Sequence, residues 1–368
     1  MKGIIDSTLR EGAQTPGVAF SPAAKVAIAR LLDRLGIEEI ELGIATPRDR
    51  DLNELMRRCR GSIRSSRLAL WCRCRPEDID HAVRLGPDVL SLSIPASDLH
   101  IRDRLGRDRQ WVEEKLRQAI EQAIRGGIGT VSVGLEDATR AELPFLIQLA
   151  RTAAEAGAHR LRLADTVGIA SPAMISALVR ETARCSSLEI GVHTHNDFGM
   201  ATANAIAALE AGAQWADATV LGLGERAGNS RLEEIVGYLA LGRHSRSYQT
   251  HYLRSLCRIV AKTANRTIAD CHPVVGEAIF TCETGLHLQG LVRNPATYEP
   301  YDPIRVGGCR RLLLGGKAGK RAVSDRLRGL GITLEEKEME RLTTLVRQQA
   351  NSRKRPLDDD ELRSLVAM

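Results

Sequence analysis

The sequence predicts an α/β fold, a closed (β/α)8 barrel followed by a mostly helical C-terminal extension. Three observations carry that expectation. Up to about residue 243, short apolar runs alternate with amphipathic helical stretches, the pattern of strand–helix units around a parallel sheet. The chain has 368 residues, whereas eight such units need about 250, so a second region follows. Aromatic residues make up only 3% of the chain, so Leu, Ile, Val and Ala must build the core, which favours helix-on-strand layering over an all-β sandwich.

Gly3-Ile4-Ile5-Asp6 reads as the first strand. Ser21-Pro22 opens the first helix, a capping hydroxyl before a proline at the first helical position, and Gly36 closes it. Glu39-Ile40-Glu41-Leu42 and Leu68-Ala69-Leu70-Trp71 form the second and third strands. Val89-Leu90-Ser91-Leu92 is the fourth, ahead of a helix from Arg109 to Ile124. Thr130-Val131-Ser132-Val133 precedes a helix from Ala141 to Ala156, and Leu161-Arg162-Leu163-Ala164 precedes one opening at Ser171-Pro172. Ile190-Gly191-Val192-His193 leads into the alanine-rich helix of residues 200–211, and Ala216-Asp217-Ala218-Thr219-Val220 into a helix from about Arg231. These units assign residues 1–243 to a TIM-barrel catalytic domain. Residues 244–368 are assigned to helical subdomains: helical text over 247–264, an irregular stretch with Pro273, Pro295, Pro300 and Pro303, the loop Gly315-Gly316-Lys317, two more helical segments and an exposed charged end from about 351.

The net charge is +6, but the basic residues are scattered apart from Arg353-Lys354-Arg355 and few aromatics are available for base stacking, so nucleic acid is not an expected partner. No apolar run approaches the ~20 residues of a membrane span. Met1-Lys2-Gly3 runs straight into an apolar strand without a leader, so the eight cysteines are expected reduced and the protein cytoplasmic. Cys72 and Cys74 lie two apart, but nothing nearby completes a zinc set, and packing is their expected role.

In such a barrel the carboxyl ends of the strands form the active site. Three ends carry unusual polarity. Asp6-Ser7-Thr8-Leu9-Arg10-Glu11-Gly12-Ala13-Gln14 follows the first strand, with charges that are costly at a barrel mouth unless paired or bound. His193-Thr194-His195-Asn196-Asp197 ends the seventh, and residues two apart on a strand point the same way. Two imidazoles with a carboxylate from another strand make a facial set for a divalent cation with open positions left over. Gly224-Glu225-Arg226-Ala227-Gly228-Asn229 follows the eighth strand, next to the first in a closed barrel. Each alone also reads as a loop cap, a hydrogen-bonded histidine pair or a plain turn.

With these motifs, and with Ala164-Asp165-Thr166-Val167-Gly168, the chain resembles the 2-isopropylmalate synthase/homocitrate synthase family of metal-dependent acyl-CoA condensing enzymes, from residue 4 to about 325. The resemblance implies acetyl-CoA and a 2-oxo acid as substrates. It implies a divalent ion (Mg²⁺ or Mn²⁺, with Zn²⁺, Co²⁺ or Fe²⁺ as further candidates) on Glu11, His193 and His195, with Asn229 a weaker or water-mediated ligand. Arg10 would neutralise the developing alkoxide, Thr166 would hold the 1-carboxylate, and Gln14 and Glu41 would line the substrate site. Glu136 matches a family acid near the acetyl group. His287 and Tyr298 match a pair that reaches a partner subunit's site, which implies a homodimer.

Within that family, Thr15-Pro16-Gly17-Val18-Ala19-Phe20, Ser93-Ile94-Pro95-Ala96-Ser97-Asp98 and Arg160-Leu161-Arg162-Leu163-Ala164-Asp165-Thr166 look most like the homocitrate synthase of nitrogen-fixing bacteria, which uses 2-oxoglutarate. The arginine that lysine-pathway homocitrate synthases supply for the distal carboxylate is Ser132 here, and Arg162 is the expected substitute, with pairing to Glu41 as its alternative. Ala13, Gln289 and Lys317-Ala318-Gly319 depart from the family pattern. The resemblance leaves open sister synthases for pyruvate, 2-oxoisovalerate or oxaloacetate, an aldol-cleaving lyase and a catalytically silent barrel. Feedback through a C-terminal leucine-binding domain, common in 2-isopropylmalate synthases, is not expected here.

Overall fold

The computed structural model describes residues 1–367 except 50, 245–247, 284–286, 288, 289 and 292, so Gln289 lies outside the described residues. The chain divides into two compact units, Met1–Ile268 and Ala269–Met368.

In the first unit, β1 (Gly3–Asp6), β2 (Glu39–Ile44), β3 (Arg67–Arg73), β4 (Val89–Pro95), β5 (Val131–Glu136), β6 (Arg160–Asp165), β7 (Glu189–Thr194) and β8 (Trp215–Ala218) form a closed barrel. All pairings are parallel, and β8 returns onto β1 with Gly3 opposite Trp215 and Asp6 opposite Ala218. The expected eight-stranded barrel is therefore present. β2 to β7 run one to three residues past the ends the sequence pattern sets, and β8 stops short of its own. β4 runs on to Pro95 because Ser93–Pro95 continue the ladder with Gly134–Glu136. β8 stops at Ala218 because Val220 turns inward, its N–H donating to Thr8 Oγ1 at 2.8 Å.

The helices are α1 (Pro22–Leu35), α2 (Leu52–Arg60), α3 (Pro76–Leu85), α4 (Arg109–Arg125), α5 (Leu143–Glu155), α6 (Pro172–Cys185), α7 (Ala201–Glu210) and α8 (Leu232–Gly237). Ser21 and Ser171 cap α1 and α6 through Ala24 N and Met174 N, and Gly36 closes α1 in the left-handed region at φ 96°. A ninth helix, α9 (Leu253–Thr263), packs on α1. Cys72 and Cys74 are buried free thiols, as packing requires.

The barrel interior is charged as well as apolar. Glu39 and Glu41 of β2, Arg160 and Arg162 of β6, and Asp217 of β8 are all at most 4% exposed. Small neighbours make room for the large ones: a Cβ on Gly191 would lie 3.4 Å from Trp215 and 3.5 Å from the Arg160 side chain.

In the second unit, two short strands, Thr281–Cys282 and Arg311–Leu312, pair in parallel. Helices Lys320–Gly329, Glu336–Arg353 and Asp359–Val366 enclose Val323, Leu327, Leu342, Val346 and Leu362. The charged end from 351 is thus not wholly exposed. Asp358 and Glu361 form a capping box that starts the last helix, and Leu357 and Leu362 are buried, so apolar anchors outweigh the surrounding charge. Among the described residues no helix is long and apolar enough to cross a membrane.

Candidate active site

The loop after β1 is folded by its own side chains. The Asp6 carboxylate accepts from Thr8 N at 3.0 Å and Thr8 Oγ1 at 2.8 Å, turning the chain so that Arg10 and Glu11 face the barrel mouth. Arg10 Nε donates to Glu41 Oε2 at 2.6 Å, its Nη1 donates to Glu11 Oε2, and its guanidinium lies 5.6 Å from the Trp71 ring centre. Burial would raise the pKa of Glu41, but the Arg10 and Arg162 guanidinia hold it down at about 2.

His193 and His195 project from the end of β7 with their Nε2 atoms 3.2 Å apart. Glu11 Oε1 stands 3.9 Å from His195 Nε2, and one ligand atom from each of Glu11, His193 and His195 falls within 4.8 Å of the others. Two atoms bound at about 2.1 Å and at right angles to a shared ion would be about 3 Å apart, so the imidazole spacing fits a common cation. Burial lowers the pKa of both rings, His195 to about 2 with help from His193 and Arg226, which keeps them in the neutral form that a ligand needs.

Asn229 sits beside this group through a bridge to His195. Its Nδ2 donates to Leu223 O at 3.0 Å, while its buried Oδ1 has no partner, an acceptor left for an ion or an ordered water. The glycines of this loop are required by space: a Cβ on Gly228 (φ 88°) would lie 1.9 Å from Gly222 O. The donor set thus suits a hard or borderline divalent ion with open positions.

A cavity of about 330 Å³ opens above these groups, lined by Arg10, Glu11, Gln14, Trp71, Ser93, Arg104, Gly134, Glu136, Arg162, Ala164, Thr166, His193, His195 and Glu225. Most of the expected residues converge here. Thr166 Oγ1 accepts from Asp137 N at 2.8 Å. Glu136 accepts from Ser93 Oγ at 2.7 Å and pairs with Arg104. Arg162 reaches the cavity but pairs with Glu41 at 3.3 Å and Asp217 at 2.8 Å, so any anion arriving there competes with two carboxylates. Ser132 is fully buried below, its hydroxyl without a partner. In the second unit the rings of His287 and Tyr298 lie 4.3 Å apart, both exposed.

The sequence pattern did not single out Arg104, Ser93, Trp71 or Asp217. Arg104 lies on the turn of helix His100–Leu105, outside any strand period. Asp217 had a signal, since a charge two residues after inward-facing Trp215 must also face inward.

The HMGL-like family model matches residues 2–260, and the model described as Homocitrate synthase post-HMGL domain-like matches residues 274–354. The 2-isopropylmalate synthase 2 of Caldanaerobacter subterraneus subsp. tengcongensis is 39% identical, covering 98% of this chain and 93% of that protein. The homocitrate synthase of Frankia alni is 42% identical, covering 89% of this chain and 93% of its own length. Among solved structures, the HMG-CoA lyase of Bacillus subtilis superposes with a TM-score of 0.64 at 22% identity, covering 73% of this chain and 95% of that one, a likeness of fold alone.

Proposed function

The chain belongs to the HMGL-like family, in its 2-isopropylmalate synthase and homocitrate synthase branch, and from that premise we propose that it joins acetyl-CoA to a 2-oxo acid and releases CoA by hydrolysis. The observation that carries the reading is the convergence of Glu11, His193 and His195 at the mouth of one barrel, beside Arg10.

In this reading Glu11, His193 and His195 hold a divalent ion, with Asn229 contributing directly or through water. Such an ion, when bound, polarises the ketone of the 2-oxo acid as a Lewis acid. Arg10 places its guanidinium where negative charge develops on the former ketone oxygen, and Glu41 fixes its direction. Thr166 and Gln14 orient the acceptor. A base takes a proton from the acetyl methyl, and the carbanion-like carbon attacks the ketone carbon. His287 with Tyr298, delivered from a second copy of the chain, is the proposed base. Glu136 is the less suitable one, because its two oxygens are already engaged by Ser93 Oγ and the Arg104 guanidinium. Water then cleaves the thioester, which drives the reaction forward.

The acceptor is proposed to be 2-oxoglutarate. The cavity wall carries the charged groups Arg10, Glu11, Arg104, Glu136, Arg162 and Glu225, and among the described residues no Leu, Ile or Val lines it, so a branched aliphatic side chain would meet mainly Trp71 and Ala164 as apolar partners. A distal carboxylate would meet Arg162, or Arg104 swung from Glu136. Thiol release from acetyl-CoA with Mg²⁺ or Mn²⁺ tests this across 2-oxoglutarate, pyruvate, 2-oxoisovalerate and oxaloacetate. The highest kcat/KM should fall on 2-oxoglutarate. A preference for 2-oxoisovalerate would overturn the acceptor assignment, and no release with any acceptor would overturn the synthase reading.

A further inference from the structure

The two histidines of the site differ on their far sides. His193 Nδ1 lies 2.9 Å from Asp217 Oδ2, whereas His195 Nδ1 is buried without a partner. A carboxylate can only accept, so Asp217 requires the hydrogen of His193 to sit on Nδ1 and leaves the Nε2 lone pair aimed at Glu11 and His195. The same Oδ2 accepts from Arg162 Nη1 at 2.8 Å, and Asp217 is 2% exposed. Arg162 has a second acceptor in Glu41 Oε1, so its charge does not depend on Asp217 alone.

We propose that Asp217 is a positioning residue for the metal site, holding the tautomer and ring direction of His193, with Arg162 fixing the carboxylate through its own hydrogen bond. A second layer of this kind makes an imidazole a better ligand, and its loss costs 10- to 100-fold in metal affinity. The inference rests on Glu11, His193 and His195 being the ligands, and its test separates the two claims.

Mn²⁺ binding to the purified full chain is measured by titration calorimetry for the wild type, Asp217→Asn, Asp217→Ala and His195→Ala, with circular dichroism to verify folding. Asp217→Ala should bind about 10- to 100-fold more weakly and Asp217→Asn about tenfold. A merely structural role would instead lower the unfolding midpoint and leave the affinity alone. If both Asp217 variants bind within twofold of the wild type while His195→Ala does not bind, the positioning role is overturned and the ligand set stands. If the wild type shows no site, or His195→Ala binds as well as it does, both claims fall. Should Asp217→Ala not fold, Asp217→Asn decides by the same twofold criterion.

Discussion

Two charged layers lie one above the other inside the barrel, built from residues two apart on the same strands. The lower uses Glu39, Arg160 and Trp215, the upper Glu41, Arg162 and Asp217. Below, Arg160 grips both oxygens of Glu39 at 3.0 Å, Arg67 adds a third bond at 2.9 Å, and both guanidinia lie over the Trp215 ring, at 3.9 and 5.2 Å. Above, Glu41 binds Ser7, Arg10 and Arg162, Asp217 binds Arg162 and His193, and the network ends at a cavity. The chemistry is nearly the same; depth differs. A buried ion pair closed by an aromatic ring can only hold the barrel together, whereas the same pair one step higher can orient groups that meet a substrate.

That contrast predicts separable losses. The largest should come from the upper layer's rim: Glu11→Ala or His195→Ala should lower kcat/KM at least about a thousandfold, roughly 4 kcal/mol of transition-state stabilisation, while urea unfolding moves little. Comparable unfolding losses in these variants would erase the distinction. Next, Arg160→Met leaves Glu39 in the lower layer with Arg67 as its remaining cationic partner and should cost about 3 kcal/mol of stability in urea titrations, with Mn²⁺ affinity preserved. A folded Arg160→Met protein without metal affinity would show that the layers are not separate.

A third test compares Glu41, which has two cationic partners, with Asp6, which has hydrogen bonds but no cationic partner among the described residues. Burial pushes the Asp6 pKa up to about 7 against an ordinary 3.8, despite the bonds from Thr8. A raised folded-state carboxyl stabilises fully below about pH 4, and that contribution is lost as pH rises through about 7. Wild-type stability should therefore decline by a few kcal/mol from this group between pH 4 and 7, and Asp6→Asn should flatten the decline. An unchanged pH profile would assign Asp6 a normal pKa. The smallest effect concerns Arg162→Ala, which should reduce kcat/KM about tenfold more for 2-oxoglutarate than for pyruvate if Arg162 receives the distal carboxylate. Equal losses on both acceptors would leave Arg162 only its hydrogen bonds to Asp217 and Glu41.

The strand periods, the capped helix starts and the motifs at three strand ends make the barrel and the paired imidazoles of His193 and His195 legible, because those signals are local, whereas Glu11 as their carboxylate partner is what the family resemblance implies. The pairings across the barrel are not legible. Arg162 meets Glu41 at a separation of 121 residues and Asp217 at 55, and a period of two says that all three face inward without saying which share a layer. The sequence offers Glu41 as an alternative partner for Arg162, and the structure adds Asp217 as a second. Arg104 escaped for another reason, since the single turn that carries it follows no strand or helix period long enough to read.

The most direct measurement is anomalous diffraction at the manganese edge from crystals grown with Mn²⁺. One peak within about 2.0–2.3 Å of a Glu11 carboxylate oxygen, His193 Nε2 and His195 Nε2 is the expected result. Well-ordered density with no peak there, and with Glu11 turned fully onto Arg10, would contradict the metal centre on which the proposed chemistry depends.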